Sequence, residues 1–375
     1  MELVGALLGG RRGRRLLLEF ALESEAILLK GQAELPLHGG IFYASYREDV
    51  ARGEAVSLFG PGAEEGRKII VTAEDVAELL AATALAPVTA GLLCEALARS
   101  VDTARYWQPP EGTDVIAGSA PVRAQLARVA QHLAASGLAA WWMRTAATGD
   151  QWHVEWEQAD APGRWAPSGE PAATVLASWR KAAEIEEARA AVERPVDPAA
   201  NYGGEWWSMP PAQLLHSTGT FFDGSPVGLW CVEDGFGWDR AIARRVEVPA
   251  SVRIFEITDA SDWAQLCRSF PLEVTAQKRH DWYRTTGRVG SWVMPDFSRL
   301  AADYDGVHLG VAAYLAMAGE VIEVDAERAS VMAGWNPDGT RWLTDGVALR
   351  DEEVAWECAD ANSGNATWTR AAQGS

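Results

Sequence analysis

The sequence predicts an α+β protein, in which a helix-rich mixed N-terminal region packs on a C-terminal α+β domain with a largely antiparallel or split sheet. Helical periodicity bounded by caps and stops recurs between residues 72 and 137. Beyond residue 205, short strand-like runs alternate with few long helices, which is the pattern of a segregated sheet. The composition, 48% hydrophobic and 23% charged, is that of a folded globular chain. A length of 375 residues suffices for two domains. The expected division is a mixed domain over 1–200, an α+β domain over 201–350 and a polar tail over 351–375.

In chain order, LLLEFAL, AILLKG and GIFYASY, separated by Gly, Pro and charges, read as strands and make residues 1 to about 60 β-rich. Thr72 followed by Asp75 is a capping box opening AEDVAELLAATALAP, which Pro87 stops. APVTAGLLCEALARSV and PVRAQLARVAQHLAASG repeat the helical pattern, the second closed by Gly137. A Trp-rich hairpin is expected near 138–160, because QWHVEWEQ alternates Trp152, Val154 and Trp156 with polar residues. ATVLASWRKAAEIEEARAAVERP is a charged helix closed by Pro195, and VDPAANYGGEW reads as a linker. AQLLHST, VGLWCVE, ARRVEVP, SVRIFEITD and VIEVD read as strands and SDWAQLCRSF as a helix.

A net charge of −19, from 33 Lys+Arg against 52 Asp+Glu, repels phosphate backbones and anionic lipid, so duplex nucleic acid and membranes are poor partners. No apolar run approaches the roughly 20 residues that span a bilayer. The opening MELVGALLGG precedes its arginines instead of following them, so a cytoplasmic chain is expected. The four cysteines lie far apart and read as reduced thiols. Neither a P-loop nor a G-x-G-x-x-G is present, and H-E-x-x-H and G-x-S-x-G are absent too. No metal is predicted. His280-Asp281 and Asp305 with His308 are placed as structural or surface groups before metal ligands. The 18 Trp are read first as packing, with a pocket wall for a planar ring as the alternative.

The segment LLHSTGTFFDGSPVGLWCVEDGFGWD puts polar groups at a strand end before a Gly-rich turn. LLHST is similar to the His-x-Thr strand of the ADP-ribosyltransferases of the diphtheria-toxin and poly(ADP-ribose) polymerase type. That resemblance covers at most about 130 residues of the C-terminal half and implies NAD as substrate. It gives His216 and Thr218 the binding of the ribose and nicotinamide amide, and Trp230 a ring-stacking place where the family carries Tyr. The family's acidic residue, usually Glu, has its counterpart in Asp338, with Glu320 and Glu323 as further candidates. A carboxylate is needed there because cationic charge develops at the anomeric carbon as nicotinamide leaves.

Lys278, Arg279, His280, Arg284 and Arg288 form a basic cluster in an acidic chain. Two roles are open: Arg284 or Arg288 holds the phosphates of a nucleotide or another small anion, or the cluster meets acidic stretches such as EIEEARAAVE and ties the two halves together. Tyr304, near Asp296 and Asp305, is a second stacking candidate, although Asp296 as a helix N-cap and Gly306 as its turn already account for the segment. Two functional alternatives stand beside the NAD-consuming transferase or glycohydrolase. One is an acidic, non-catalytic binding or immunity module with a basic protein partner; the other is a biosynthetic enzyme of another class.

Overall fold

The computed structural model describes residues 2–32, 34–157, 167, 169–235, 237–359 and 367–371. The N-terminal third is helical: α1 (Leu3–Gly9), α2 (Arg11–Leu28), α3 (Pro36–Ala51), α4 (Ala63–Gly66), α5 (Ala73–Ala82), α6 (Ala90–Asp102), α7 (Gly112–Gly118) and α8 (Ala120–Ala135). Next come β1 (Gln151–Trp156), α9 (Ala172–Glu193), β2 (His216–Thr218), α10 (Val227–Trp230), β3 (Arg240–Glu247) and β4 (Ile254–Ile257). They are followed by α11 (Ala260–Ser269), β5 (Pro271–Glu273), α12 (Thr275–Thr286), β6 (Ser291–Pro295), α13 (Phe297–Leu300), β7 (Gly306–Leu309) and α14 (Val311–Met317). The chain closes with β8 (Val321–Glu323), β9 (Arg328–Val331), β10 (Gly339–Trp342), β11 (Ala348–Ala359) and β12 (Thr367–Arg370).

The larger sheet runs β12-β11-β3-β1-β2-β10-β7-β4 and is antiparallel except at β7–β4; the smaller runs β5-β6-β9-β8 with β6–β9 parallel. The α+β class is therefore as the sequence predicts, with a helical N-terminal region. β1 precedes residue 200 yet lies between β3 and β2, deep in the larger sheet. One apolar core, containing Leu17, Phe20, Leu97, Tyr314 and Trp335, runs from the helices into both sheets. α14 packs on α1 and α2 and is the main joint between them. A Cβ at Gly10 would strike the backbone of Ala316, so only glycine allows this approach.

Three expectations are corrected. Residues 3–51 are α1 to α3, not strands. α2 buries polar Arg12, Arg15, Glu19 and Glu25 as well as its leucines, so no clean one-sided stripe distinguishes it from short apolar strands. Arg12 donates to Ser100 O and pairs with Asp114, while Arg15 pairs with Glu19, Glu111 and Asp114. The Glu25 carboxylate accepts the N–H groups of Leu37 and His38 and caps α3. Second, the 138–160 segment is no hairpin in its described part: residues 140–143 form a 3₁₀ turn and β1 pairs with distant β2 and β3. Residues 158–160 of that expectation lie outside the described residues. Third, VGLWCVE opens with the helical turn α10, and the polar tail begins with β11. β11 turns Trp356 inward while its acidic residues face solvent, as a half-covered strand near a sheet edge does.

The capped helices match their sequence signals. Thr72 and Asp75 form the capping box of α5, and Asp296 caps α13 by accepting the N–H groups of Ser298 and Arg299. Trp142, Trp263, Trp282, Trp292, Trp335 and Trp342 are under 2% exposed and serve packing. Gly306 opens β7, where an added Cβ would come within 3.0 Å of the Trp342 ring.

Glu233, just beyond α10, is buried with Tyr106 and Tyr314 where the helices meet the sheets. Its Oε2 accepts the Gly334 N–H at 2.6 Å, and Oε1 has no partner. Burial pushes the carboxyl up from 4.5 to about 8, against the opposing influence of the nearby Tyr314 hydroxyl and of the Gly334 N–H. A carboxyl raised in the folded state opposes folding as it ionises, a cost that grows from pH 4.5 to about 8. Glu233→Gln is therefore expected to leave stability at pH 4.5 nearly unchanged and to raise it by about 2–4 kcal/mol above pH 8. Denaturant unfolding at the two pH values measures this.

Candidate functional site

Strand register assembles the site. Ser217 of β2 lies opposite Thr340 of β10, Thr340 opposite His308 of β7, and His308 opposite Glu256 of β4. Residues opposite one another on paired strands share a face, so four polar side chains form one row across four strands. Ser217, Thr340 and His308 are closed to solvent. Ser217 Oγ donates to Gln151 Oε1 at 2.6 Å and accepts from Trp342 Nε1 at 2.8 Å, extending the row to β1. Thr340 Oγ1 is buried without a partner. An unpaired polar group in a closed interior is costly and calls for an explanation.

At the end of this row His308 stands between two carboxylates. Its Nδ1 bonds Glu256 Oε2 at 2.6 Å, and its Nε2 lies 3.4 Å from Asp338 Oδ1. Glu256 Oε1 accepts the Ala146 N–H, and Asp338 Oδ2 accepts the Gly219 N–H at 2.8 Å. Asp338 takes a left-handed backbone, φ 57°, in the turn before β10. Burial alone would lower the imidazole's basicity, but the bonds and charges of Asp338 and Glu256 outweigh it and hold the group at about 9. The result is an imidazolium that orients two carboxylates, which are themselves 24% and 16% exposed. A histidine raised from 6.5 to about 9 contributes stability that is fully present below pH 6.5 and is lost as pH rises through 9. The expected loss over that window is about 3 kcal/mol, absent in His308→Gln, and unfolding at pH 6 and pH 9.5 checks it.

The residues singled out from the sequence divide into two groups. β2 and the start of β10 place His216, Thr218 and Asp338 close in register, Gly339 opposite Thr218 and Asp338 bonding the Gly219 N–H, but not on one face: Asp338 meets His308 on the Ser217 and Thr340 face, and the His216 and Thr218 side chains alternate to the other. The Thr218 hydroxyl is engaged in holding α10, accepting the Gly228 N–H at 3.1 Å. Trp230 of α10 packs near this strand, its Nε1 donating to Ser225 Oγ and its edge against Phe221. His216 is half-buried, with Nδ1 closed off and unpartnered, and its ring stands 4.6 Å from that of His153. Burial, then Arg341 and His153, push its basicity well below the ordinary value. His153 Nδ1 bonds His216 O at 2.8 Å, and Glu155 pairs with Arg244. The bond to His153 and the pairing with Arg244 outweigh burial and hold Glu155 down at about 2.

Arg284, Arg288 and Tyr304 are placed elsewhere. Arg284 pairs with Asp281 beside Trp107, in a cleft of about 540 Å³, and Arg288 pairs with Glu323 and covers the Trp292 ring. α12 carries the basic cluster and packs on α9. There Glu187 accepts the N–H groups of Ala276 and Gln277, and Arg279 donates to Pro195 O. These contacts favour the tying role for the cluster over the holding of phosphate. Tyr304 meets Phe255 of the edge strand β4, about 14 Å from β2 at the usual strand spacing. Asp305 pairs with Arg253, not with His308.

Glu256, Ser217, Thr340 and Arg341 were not legible as site residues. The only local signal is strand alternation in GVHLG and GTRWL, which says that His308 and Thr340 alternate with apolar neighbours and nothing about what stands opposite. Among the described residues no group of His, Cys, Asp and Glu is arranged to hold a metal ion, and no helix is long and apolar enough to cross a membrane. Comparison with protein-family models, curated proteins and solved structures finds no match to the chain.

Proposed function

We propose that the chain is an NAD-consuming enzyme, a glycohydrolase or ADP-ribosyltransferase, whose chemistry lies where β2, β7 and β10 end together. One observation carries the reading: the Asp338 carboxylate is fixed against the strand that bears His216 and Thr218 by the Gly219 N–H. A single acid beside a His-x-Thr strand is what loss of nicotinamide requires, because departure of the base leaves a ribosyl cation. Asp338 would stabilise that cation. His308 is a positioning residue that aims the carboxylate, with Glu256 fixing the ring through Nδ1. His216 Nδ1, which has no partner and is covered, would have to be uncovered to meet a hydroxyl or amide of the substrate. Release of nicotinamide from NAD, with water or with proteins as acceptor, tests the reading.

The alternative of a non-catalytic binding module has its own support. Phe42, Phe59 and Ile70 of the N-terminal region are 55%, 90% and 74% exposed, apolar area that a partner would cover.

A further inference from the structure

We propose that Arg341 and His216 form a subsite for a phosphoryl group. They face each other in register on β10 and β2. The inference goes beyond the reading above, since it requires an anion there and no reaction.

Arg341 differs from the arginines that hold a carboxylate and from those that donate to backbone carbonyls, as Arg128 and Arg268 do. Arg12, Arg15, Arg244 and Arg245 each hold a carboxylate. The single hydrogen-bond partner of the Arg341 side chain among the described residues is the Met209 thioether, 3.3 Å from Nη2. Sulfur is a weak acceptor, and a guanidinium offers five N–H donors. A half-buried cation left so poorly paired is costly, and an arriving anion would remove that cost. Burial alone holds its acidity constant down at about 10, with no nearby charge contributing.

His216 supplies the second direction. Its Nδ1 is closed off without a partner on the strand directly beside Arg341. Strand neighbours lie about 5 Å apart, a gap that a tetrahedral anion can bridge. A carboxylate spends both oxygens on a bidentate arginine fork, whereas a phosphoryl group has a third oxygen left for the imidazole. The other charged groups at this place are already matched, Glu155 by Arg244, with His153 bonded to His216 O. The basic cluster on α12 is where the sequence suggested phosphate, but its arginines are internally engaged, and the uncommitted guanidinium is here.

Titration of the protein, with its histidine rings ¹⁵N-labelled, with inorganic phosphate, pyrophosphate, AMP and acetate tests this. Expected are saturable binding of at least one phosphoryl compound below about 10 mM, a displaced His216 ring signal and no comparable effect of acetate. Preference for AMP over phosphate identifies a nucleotide as the source, and the reverse identifies a free anion. Arg341→Met should remain folded and lose binding by about tenfold or more. If that variant does not fold, His216→Gln should weaken binding severalfold. Absence of phosphoryl binding to the wild-type chain, equal binding of acetate, or binding retained in the folded Arg341→Met or in the His216→Gln chain overturns the proposal. The nicotinamide assay is separate, so either conclusion can fail alone.

Discussion

Asp114→Ala is expected to destabilise the protein by about 3–5 kcal/mol, the cost of stranding buried charge. Asp114 is the shared partner of Arg12 and Arg15, and all three side chains are under 10% exposed. Arg12 keeps its bonds to Ser100 O and Thr103 Oγ1 in the variant, but neither acceptor carries charge. Arg15 retains Glu19 and Glu111, so the damage falls on Arg12. That side chain joins α2 to α6 and α7, and Ser100 Oγ returns a bond to Arg12 O at 2.6 Å. Asp114→Asn, which keeps the shape and one acceptor, should lose less than Asp114→Ala. Denaturant unfolding at neutral pH gives both values, and a loss under about 1 kcal/mol in Asp114→Ala would show the network to be dispensable.

Asp338→Asn is expected to lower the rate of nicotinamide release by about 100-fold or more while leaving the fold intact. Asparagine tolerates the left-handed backbone that position 338 adopts, and its amide oxygen can still accept the Gly219 N–H. The variant thus removes the charge and keeps the shape. His308→Gln acts through the same carboxylate and should also depress the rate, but less. A fall in kcat in an Asp338→Asn variant that stays folded at the assay temperature, even though losing one partner of His308 lowers its unfolding midpoint, separates chemistry from support. His308→Gln, by contrast, should also remove the stability lost between pH 6.5 and about 9.

Local signals gave the capped helices because a cap and its helix lie within a few residues, as Thr72 and Asp75 do. α2 does not read as a helix because its inward face carries Arg12, Arg15 and Glu19, and the partners of the two arginines, Glu111 and Asp114, lie about a hundred residues away in sequence. The same limit hid most of the site. His216, Thr218 and Asp338 could be named from a short motif and the chemistry it implies; the strands make them neighbours in register, with Asp338 on the face of Ser217 and His308 and the other two on the reverse. The row Ser217, Thr340, His308 and Glu256 exists only through register among β2, β10, β7 and β4, which residue order does not encode locally. Arg284 and Arg288 stood out as charges in an acidic chain, yet each has its carboxylate, whereas Arg341 sits inconspicuously in GTRWL without one.

The most direct measurement is the appearance of free nicotinamide when the wild-type chain and Asp338→Asn are incubated side by side with NAD, with folding of both verified. The account predicts release by the wild-type chain and its near-disappearance in the variant. No release from the wild-type chain with any acceptor, together with no NAD-dependent rise in its unfolding temperature, would contradict it.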